Sequence, residues 1–241
     1  DWTVFSGPIV PGTEGKGGET FDQKFGFPGA FYSPNITPYH LKDWSDGEIY
    51  RAFTAGVSKD GRPLFPVMPY INYGKMDKRD LLAVIAYIRT LKPIENDVKK
   101  SEADFPMNLI LRTIPKEGAP QQRPEKAVNK IYGEYIVNAS GCYDCHTPFE
   151  KGMPLENMDF AGGREFKMPN GTLRSTNLTP DMKTGIGAWT PRAFEMKFRA
   201  FTAGGYPVDK KEMNSIMPWT MYAEMDSVDL HSIFAYLKTL K

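Results

Sequence analysis

Cys142-Tyr143-Asp144-Cys145-His146 holds both cysteines of this 241-residue chain and one of its three histidines. In Cys-x-x-Cys-His, two thiols can form thioether bonds to the vinyl groups of one haem while the adjacent imidazole ligates its iron, so the stretch reads as a c-type haem attachment site. Other chemistries use the same letters: a redox dithiol, a structural disulfide, half of a zinc site, or a chance match. A zinc site of four cysteines, or of two cysteines and two histidines, needs a second ligand pair at its own close spacing. The chain has no further cysteine, and its other histidines, His40 and His231, lie far apart. A thioredoxin-like dithiol would sit in a βαβ pattern, which is not discernible here.

Composition narrows the function classes. Lys plus Arg number 30 against 29 for Asp plus Glu, so no overall basic field points to nucleic acid, and any electrostatic partner site must be a local patch. Hydrophobic residues make up 41%, with 20 prolines and 22 glycines; this fits a globular protein with a large share of ordered loops. No run of apolar residues is long enough for a membrane span. The first residue is Asp1 rather than Met, and no segment with a basic start and an apolar centre is present, so the sequence is expected to be a processed or incomplete form of its gene product.

A two-fold repeat runs through the chain. Phe53-Thr54-Ala55-Gly56 recurs as Phe201-Thr202-Ala203-Gly204, and Met68-Pro69-Tyr70-Ile71-Asn72-Tyr73 is echoed by Met217-Pro218-Trp219-Thr220-Met221-Tyr222. Ala86-Tyr87-Ile88-Arg89-Thr90-Leu91-Lys92 reappears as Ala235-Tyr236-Leu237-Lys238-Thr239-Leu240-Lys241. Upstream, Asn35-Ile36-Thr37-Pro38 matches Asn177-Leu178-Thr179-Pro180, and Gly17-Gly18 matches Gly162-Gly163. Five matches in one order describe two copies of one domain, expected over residues 1–94 and 124–241, with a linker over 95–123.

Each copy carries the same helical plan. Ser45 followed three residues on by Glu48 predicts a capping box opening a helix to about Gly56. Its counterpart is predicted from Thr190, with Pro191 in the first helical position, to about Gly204. A last helix begins at Asp77 in one copy and Asp226 in the other. Leu81, Leu82, Ile85, Ile88 and Leu91 recur at helical spacing in the first, and Val228, Leu230, Ile233, Phe234 and Leu237 in the second. Lys92 and Pro93 close the first of these. A further helix is predicted from about Pro124 to Ala139, with Val128, Ile131, Tyr132, Tyr135 and Ile136 as its apolar face. No segment predicts a strand, so the expected class is all-α: two tandem helical domains with long loops. The charge clusters and prolines of residues 95–123 read as a linker, and apolar Met107 to Leu111 predicts that it packs onto a domain rather than floating as a tether.

Haem iron held by one histidine needs a sixth ligand for pure electron transfer, since an open position admits oxygen or peroxide chemistry. Methionines cluster near the second copy's end at Met213, Met217, Met221 and Met225, and among them only Met217 precedes a proline and matches Met68. Proline keeps the preceding backbone extended, which can aim a thioether from a loop. Most buried methionines only fill core gaps; the repeated setting singles out Met217. His231 lies in a predicted helix and His40 has no counterpart, so both are expected to be surface or satisfied helix-end histidines.

The ordered set Cys-x-x-Cys-His, Gly-Gly, Asn-[Ile/Leu]-Thr-Pro with Gly185-Ile186-Gly187-Ala188-Trp189, Met-Pro-[Tyr/Trp]-x-x-Tyr and Ala-Tyr-[Ile/Leu]-[Arg/Lys]-Thr-Leu resembles the class I c-type cytochromes. More narrowly it is similar to the tandem-haem cytochromes that accompany membrane-bound alcohol and aldehyde dehydrogenases, and the resemblance covers nearly the whole chain. It implies small cytochrome c-like haem domains, His/Met ligation, a periplasmic or membrane-associated address, and single-electron transfer to or from a dehydrogenase, an oxidase or another respiratory complex. Carried over by position, Cys142 and Cys145 are thioether sites for haem c, His146 is the proximal ligand and Met217 the distal one. Thr147-Pro148 also fits, with Pro148 shaping the loop beneath the haem. Trp189, Trp219, Tyr222 and Tyr236 are expected to pack the haem pocket.

The first copy departs from this pattern, for it has no Cys-x-x-Cys-His. Aligning Gly17-Gly18 on Gly162-Gly163 places the counterpart of His146 at or before residue 1, and the glycines and prolines of residues 1–16 look like the loop that follows such a motif. Either this domain holds a second haem attached through residues outside the chain, with Met68 as its iron ligand, or it has lost its haem and serves as a packing or partner-binding module. Retention of Met68 favours the first. The rival functions are a haem enzyme, peroxidase or dehydrogenase, with an open axial position, and a sensor or structural haem subunit.

Overall fold

The computed structural model describes residues 9–150, 152–168, 171–202 and 215–241. Two compact units emerge, Ile9–Gln122 and Arg123–Lys241. The first contains strands β1 (Thr20–Phe21), β2 (Gly29–Tyr32) and β3 (Glu102–Ala103) and helices α1 (Pro38–Leu41), α2 (Asp46–Ala55), α3 (Tyr70–Tyr73), α4 (Lys78–Thr90) and α5 (Met107–Ile110). The second contains helices α6 (Lys130–Ala139), α7 (Cys142–His146), α8 (Pro191–Arg199), α9 (Trp219–Tyr222) and α10 (Ser227–Leu237), with strands β4 (Phe149–Glu150), β5 (Met153–Pro154), β6 (Glu165–Met168) and β7 (Gly171–Arg174).

The all-α expectation is wrong. Among the described residues about 37% are helical and 10% are in strands, and seven short strands form three small antiparallel sheets. Segments of two to four residues contain too few positions for a period of two to register in a sequence, which is why no strand was legible. In the first unit β2 is central, pairing Thr20 with Tyr32 on one side and Gly29 with Ala103 on the other. Its third strand therefore comes from the segment that composition marks as linker. That segment is further tied down by Asn96, whose Nδ2 donates to the Lys16 carbonyl at 2.8 Å.

Helix starts follow their caps. Ser45 Oγ accepts from Glu48 N at 3.2 Å while Glu48 Oε2 accepts from Ser45 N at 2.7 Å, the predicted reciprocal box. Thr190, Asp77 and Asp226 cap α8, α4 and α10 through their side chains. Two helices are shorter than expected. α6 begins at Lys130 because Asn129 Oδ1 accepts from both Ile131 N and Tyr132 N at 2.9 Å; Val128 and Ile131 are left exposed, and the buried face is Tyr132, Gly133, Tyr135 and Val137. α8 ends at Arg199, and Ala203-Gly204 lie outside the described residues.

The strongest helix packing is α6 against α10. A Cβ at Gly133 would lie 1.9 Å from the Ser232 carbonyl oxygen, so only glycine lets the two backbones approach this closely. Tyr132 Oη donates to Asp229 Oδ1 at 2.8 Å across the crossing, and Ser232 is fully buried. Leu230, Ile233, Phe234 and Leu237 of α10 then meet Val137, Phe160, Ile186, Phe194 and Phe198 in one core. On α4, Leu81, Ile85 and Ile88 are likewise buried, but Ala83, Val84 and Tyr87, which match Ser232, Ile233 and Tyr236, are exposed.

The repeat is structural as well as sequential. Thr37 N donates to Asn35 Oδ1 at 2.9 Å, and Thr179 N to Asn177 Oδ1 at 2.8 Å. Pro69 has φ −77 and ψ 55, and Pro218 has φ −77 and ψ 62. With Tyr70 N bonded to Met68 O at 2.7 Å and Trp219 N to Met217 O at 2.8 Å, each Met-Pro pair forms an inverse γ-turn.

Candidate haem-attachment site

Gly141, at φ 64, turns the chain from the end of α6 into the short helix α7; that left-handed conformation suits glycine. Residues three apart on a helix lie on one side, so α7 places Cys142 and Cys145 together, and both are free thiols. Cys142 is half-buried against the core, and Cys145 is exposed. Burial pushes the Cys142 thiol up to about 12.

His146 closes α7 and is 8% exposed. Its Nδ1 lies 2.8 Å from the Thr176 carbonyl oxygen. A carbonyl can only accept, so Nδ1 carries the proton and Nε2 keeps its lone pair, the tautomer a metal ligand needs. Burial, the dominant influence, holds this imidazole below the usual histidine range, with the Thr176 bond opposing. The Gly-Gly pair explains how Thr176 comes to be there. Gly162 N donates to His146 O at 2.7 Å, and Gly163 N to Ser175 O at 2.8 Å. Gly162 has φ 73, and a Cβ on it would come within 2.5 Å of the Thr176 carbonyl carbon.

Met217 is half-buried and packs on the same core as Cys142 and Tyr143. Ser215 Oγ accepts from Met217 N at 3.0 Å, and Tyr222 Oη donates to Ser140 O at 2.7 Å, joining the Met-Pro segment to the residue before Gly141. The structure packs Cys142 and Met217 against one apolar cluster, with His146 on the same short helix as Cys142. Met68 is half-buried in the first unit, in its own Met-Pro turn. Met213 lies outside the described residues. Trp219, Tyr222 and Tyr236 pack on the second unit's core, whereas Trp189, expected among them, is 39% exposed. His40 is exposed beside Trp44, and His231 Nε2 is 3.0 Å from Glu195 Oε2, so neither joins the site.

Thr147, noted in the sequence, and residues that the sequence does not announce also shape the site. Thr147, fully buried, accepts through Oγ1 from Phe160 N at 3.0 Å. The Arg164 guanidinium donates to the Asp144 carbonyl and lies 4.9 Å from the Phe149 ring centroid and 5.5 Å from that of Phe166. Thr176, Ser140 and Asp144 act through backbone carbonyls, which leave no mark in residue identity. Two free thiols, an imidazole with a free Nε2, a thioether and an apolar surround are the donor set that fits haem c. Among the described residues no group of three or more His, Cys, Asp or Glu side chains converges to hold a metal ion, as a zinc site would require.

No family model matches the chain. It is 29% identical over 233 residues to the cytochrome c subunit of a quinone alcohol dehydrogenase from Gluconacetobacter polyoxogenes, covering 88% of this chain and 48% of that protein. It is 27% identical to the cytochrome c subunit of gluconate 2-dehydrogenase from Pantoea cypripedii, covering 93% and 55%. With a diheme cytochrome c-type protein of Cereibacter sphaeroides it shares 28% identity, covering 92% and 75%. The chain spans about half the length of the curated alcohol dehydrogenase subunits it matches. Ordered motifs, duplicated turns and these relatives agree: the chain is a relative of the dihaem c-type cytochromes and of the cytochrome c subunits of sugar-acid and alcohol dehydrogenases.

Proposed function

We propose that this chain is an electron-transfer cytochrome c, passing single electrons from a dehydrogenase to an acceptor on the outer side of the cytoplasmic membrane. The observation that carries the reading is the His146 Nδ1 bond to Thr176 O at 2.8 Å, on a buried histidine that follows two free thiols. Cys142 and Cys145 would hold haem c through thioether bonds, and His146 Nε2 and the Met217 thioether would bind its iron. Bound haem c contributes a one-electron Fe(III)/Fe(II) couple.

The protein residues orient, shield and tune. Thr176 fixes the imidazole ring and raises its basicity. Val137, Phe160, Ile186, Leu230 and Phe234 form a dry shell beside the site, and exclusion of water raises the cost of the oxidised, more charged state. The Met217 thioether favours the reduced iron in the same direction. None of these residues needs to bind substrate, which distinguishes a carrier from an enzyme with an open iron.

For the first unit we propose a second haem ligated by Met68, attached through a Cys-x-x-Cys-His upstream of residue 1. The duplicated Met-Pro turn supports this, as does the bare face of α4 at Ala83, Val84 and Tyr87, whose counterpart on α10 is covered by α6. By analogy with the relatives named for dehydrogenase complexes, the partner is a dehydrogenase, and the address is periplasmic or membrane-associated. Among the described residues no helix is long and apolar enough to cross a membrane.

An intact mass with haem staining and iron analysis of the native protein tests the whole reading. Two covalent haems are expected; a mass without haem, or a spectrum lacking the methionine-to-iron charge-transfer band, would sink it. Co-purification with a large dehydrogenase tests the partner.

A further inference from the structure

Arg164 marks the place where the loop of the second unit departs from its twin. Aligning Gly162-Gly163 on Gly17-Gly18 sets Arg164 opposite Glu19, and the two backbones agree. Arg164 N donates to Ser175 Oγ at 3.1 Å, and Glu19 N to Ser33 Oγ at 3.0 Å. Ser175 N and Ser33 N return bonds of 3.0 Å to the Arg164 and Glu19 carbonyls. The side chains then part. Glu19 folds back, its carboxylate accepting from Ser33 Oγ, whereas the Arg164 guanidinium reaches out to the Asp144 carbonyl in α7.

The Asp144 carbonyl lacks a helical donor for a reason visible in the sequence. In a continuing helix it would accept from the N–H four residues on, and that residue is Pro148, which has none. Arg164 therefore satisfies an orphan carbonyl at the end of the short helix that carries Cys142, Cys145 and His146. The rings of Phe149 and Phe166 hold the guanidinium there, and Arg164 is half-buried. Among the described residues no carboxylate forms an ion pair with it: Glu165 is taken by Arg174 at 2.5 Å, and Asp159 accepts from Tyr143 Oη at 3.0 Å. Burial raises the Cys145 thiol, and the Arg164 charge works against that rise. An uncompensated cation thus acts on the attachment site itself.

We propose that Arg164 is a positioning and tuning residue of the haem site. It holds the end of α7 through the Asp144 carbonyl, and its charge sets the potential of the haem attached at Cys142 and Cys145 above the value the axial ligands alone would give. The inference rests on the reading that this motif holds haem. The sign follows from electrostatics: a fixed positive charge nearby disfavours the extra positive charge of Fe(III), and partial burial limits its screening by salt.

The test uses the full-length holoprotein. Haem staining and iron analysis of the parent come first: no haem at Cys142 and Cys145 overturns the reading, and the proposal with it. With haem in place, redox titrations compare Arg164→Lys, Arg164→Gln and Arg164→Glu. Arg164→Gln removes the charge and is expected to lower one midpoint potential, leaving any second midpoint in place. The expected size is three- to tenfold in the redox equilibrium, about 30–60 mV at 59 mV per tenfold. Arg164→Glu reverses the charge and should lower the same midpoint about twice as far. Arg164→Lys keeps the charge and should stay near the parent. The melting temperature should fall in Arg164→Gln and Arg164→Glu, whose shorter side chains leave the Asp144 carbonyl without its donor. Should Arg164→Glu fail to load haem, the Lys and Gln variants carry the test. Midpoints that do not move, or a fall in Arg164→Lys as large as in Arg164→Gln, overturn the tuning role, and unchanged melting overturns the positioning role.

Discussion

Tyr222 Oη donates a 2.7 Å hydrogen bond to the carbonyl of Ser140, so the helix that follows Met217 is tied to the turn that begins Cys142 to His146. One bond thereby couples the placement of the two proposed axial ligands. The corresponding tyrosine of the first unit is Tyr73, in the same place after its own Met-Pro turn.

Replacing Tyr222 with Phe removes that coupling while keeping the ring, which packs edge-on to Phe198 at 6.2 Å between centroids. The expected loss is about 1 kcal/mol, the net worth of a typical hydrogen bond plus part of the cost of an unpaired carbonyl. A lower melting temperature, with a weaker or shifted charge-transfer band at the second haem, is the expected result. An unchanged band would show that Met217 is held by its turn alone.

On the proposed ligation, Met217→Ala should open the iron of the haem held by Cys142 and Cys145. Rapid carbon monoxide binding and loss of the charge-transfer band are expected there, with the first haem unaffected. If the first unit holds haem as proposed, Met68→Ala should do the same there, and the pair of variants assigns each midpoint to its unit. A Met217→Ala spectrum identical to the parent would mean that another residue is the ligand.

The Cys-x-x-Cys-His stretch and the duplicated order, Met-Pro pairs included, stand out in the sequence because they rest on residue types whose covalent or dihedral chemistry is unusual: thiols at fixed spacing, and proline with its locked φ; that each Met-Pro pair closes an inverse γ-turn came only from the structure. The capping box at Ser45 and Glu48 was legible for the same reason. The sheets were not, since β1 to β7 span only two to four residues each and depend on partners far along the chain, such as Gly29 with Ala103. Pro124 to Asn129 looked helical by periodicity, yet the Asn129 side chain outcompetes another turn by bonding two backbone N–H groups. Thr176 escaped notice because a carbonyl oxygen is common to every residue, and only the fold at Gly162 brings this one to His146.

Gly133 sets the crossing of α6 and α10. Gly133→Ala would place a methyl group 1.9 Å from the Ser232 carbonyl oxygen, and backbone on both sides leaves no flexible group to yield. Overpacking of this kind costs about 3 kcal/mol, partly offset by the better helix propensity of alanine. A lower denaturant midpoint for the second unit with an unchanged m-value is expected. An equal midpoint would mean that the helices can separate without loss.

Acid should weaken the α8–α10 contact before it reaches the core. Glu195 accepts from Ser227 Oγ at 2.5 Å, from Arg199 Nη2 at 3.2 Å and lies 3.0 Å from His231 Nε2. These contacts, led by the Ser227 hydroxyl, hold its carboxyl below the ordinary value of 4.5. A carboxyl depressed in the folded state binds its proton more readily when unfolded, so its stabilisation is present above pH 4.5 and is lost as pH falls through the folded value. The group is near the surface, and solvent screening keeps the effect under about 1 kcal/mol. Melting curves from neutral pH to about pH 3 should therefore fall less steeply below 4.5 in Glu195→Gln than in the parent, with Glu195→Gln already less stable at neutral pH. Parallel curves would show that the cluster contributes no proton-linked stability.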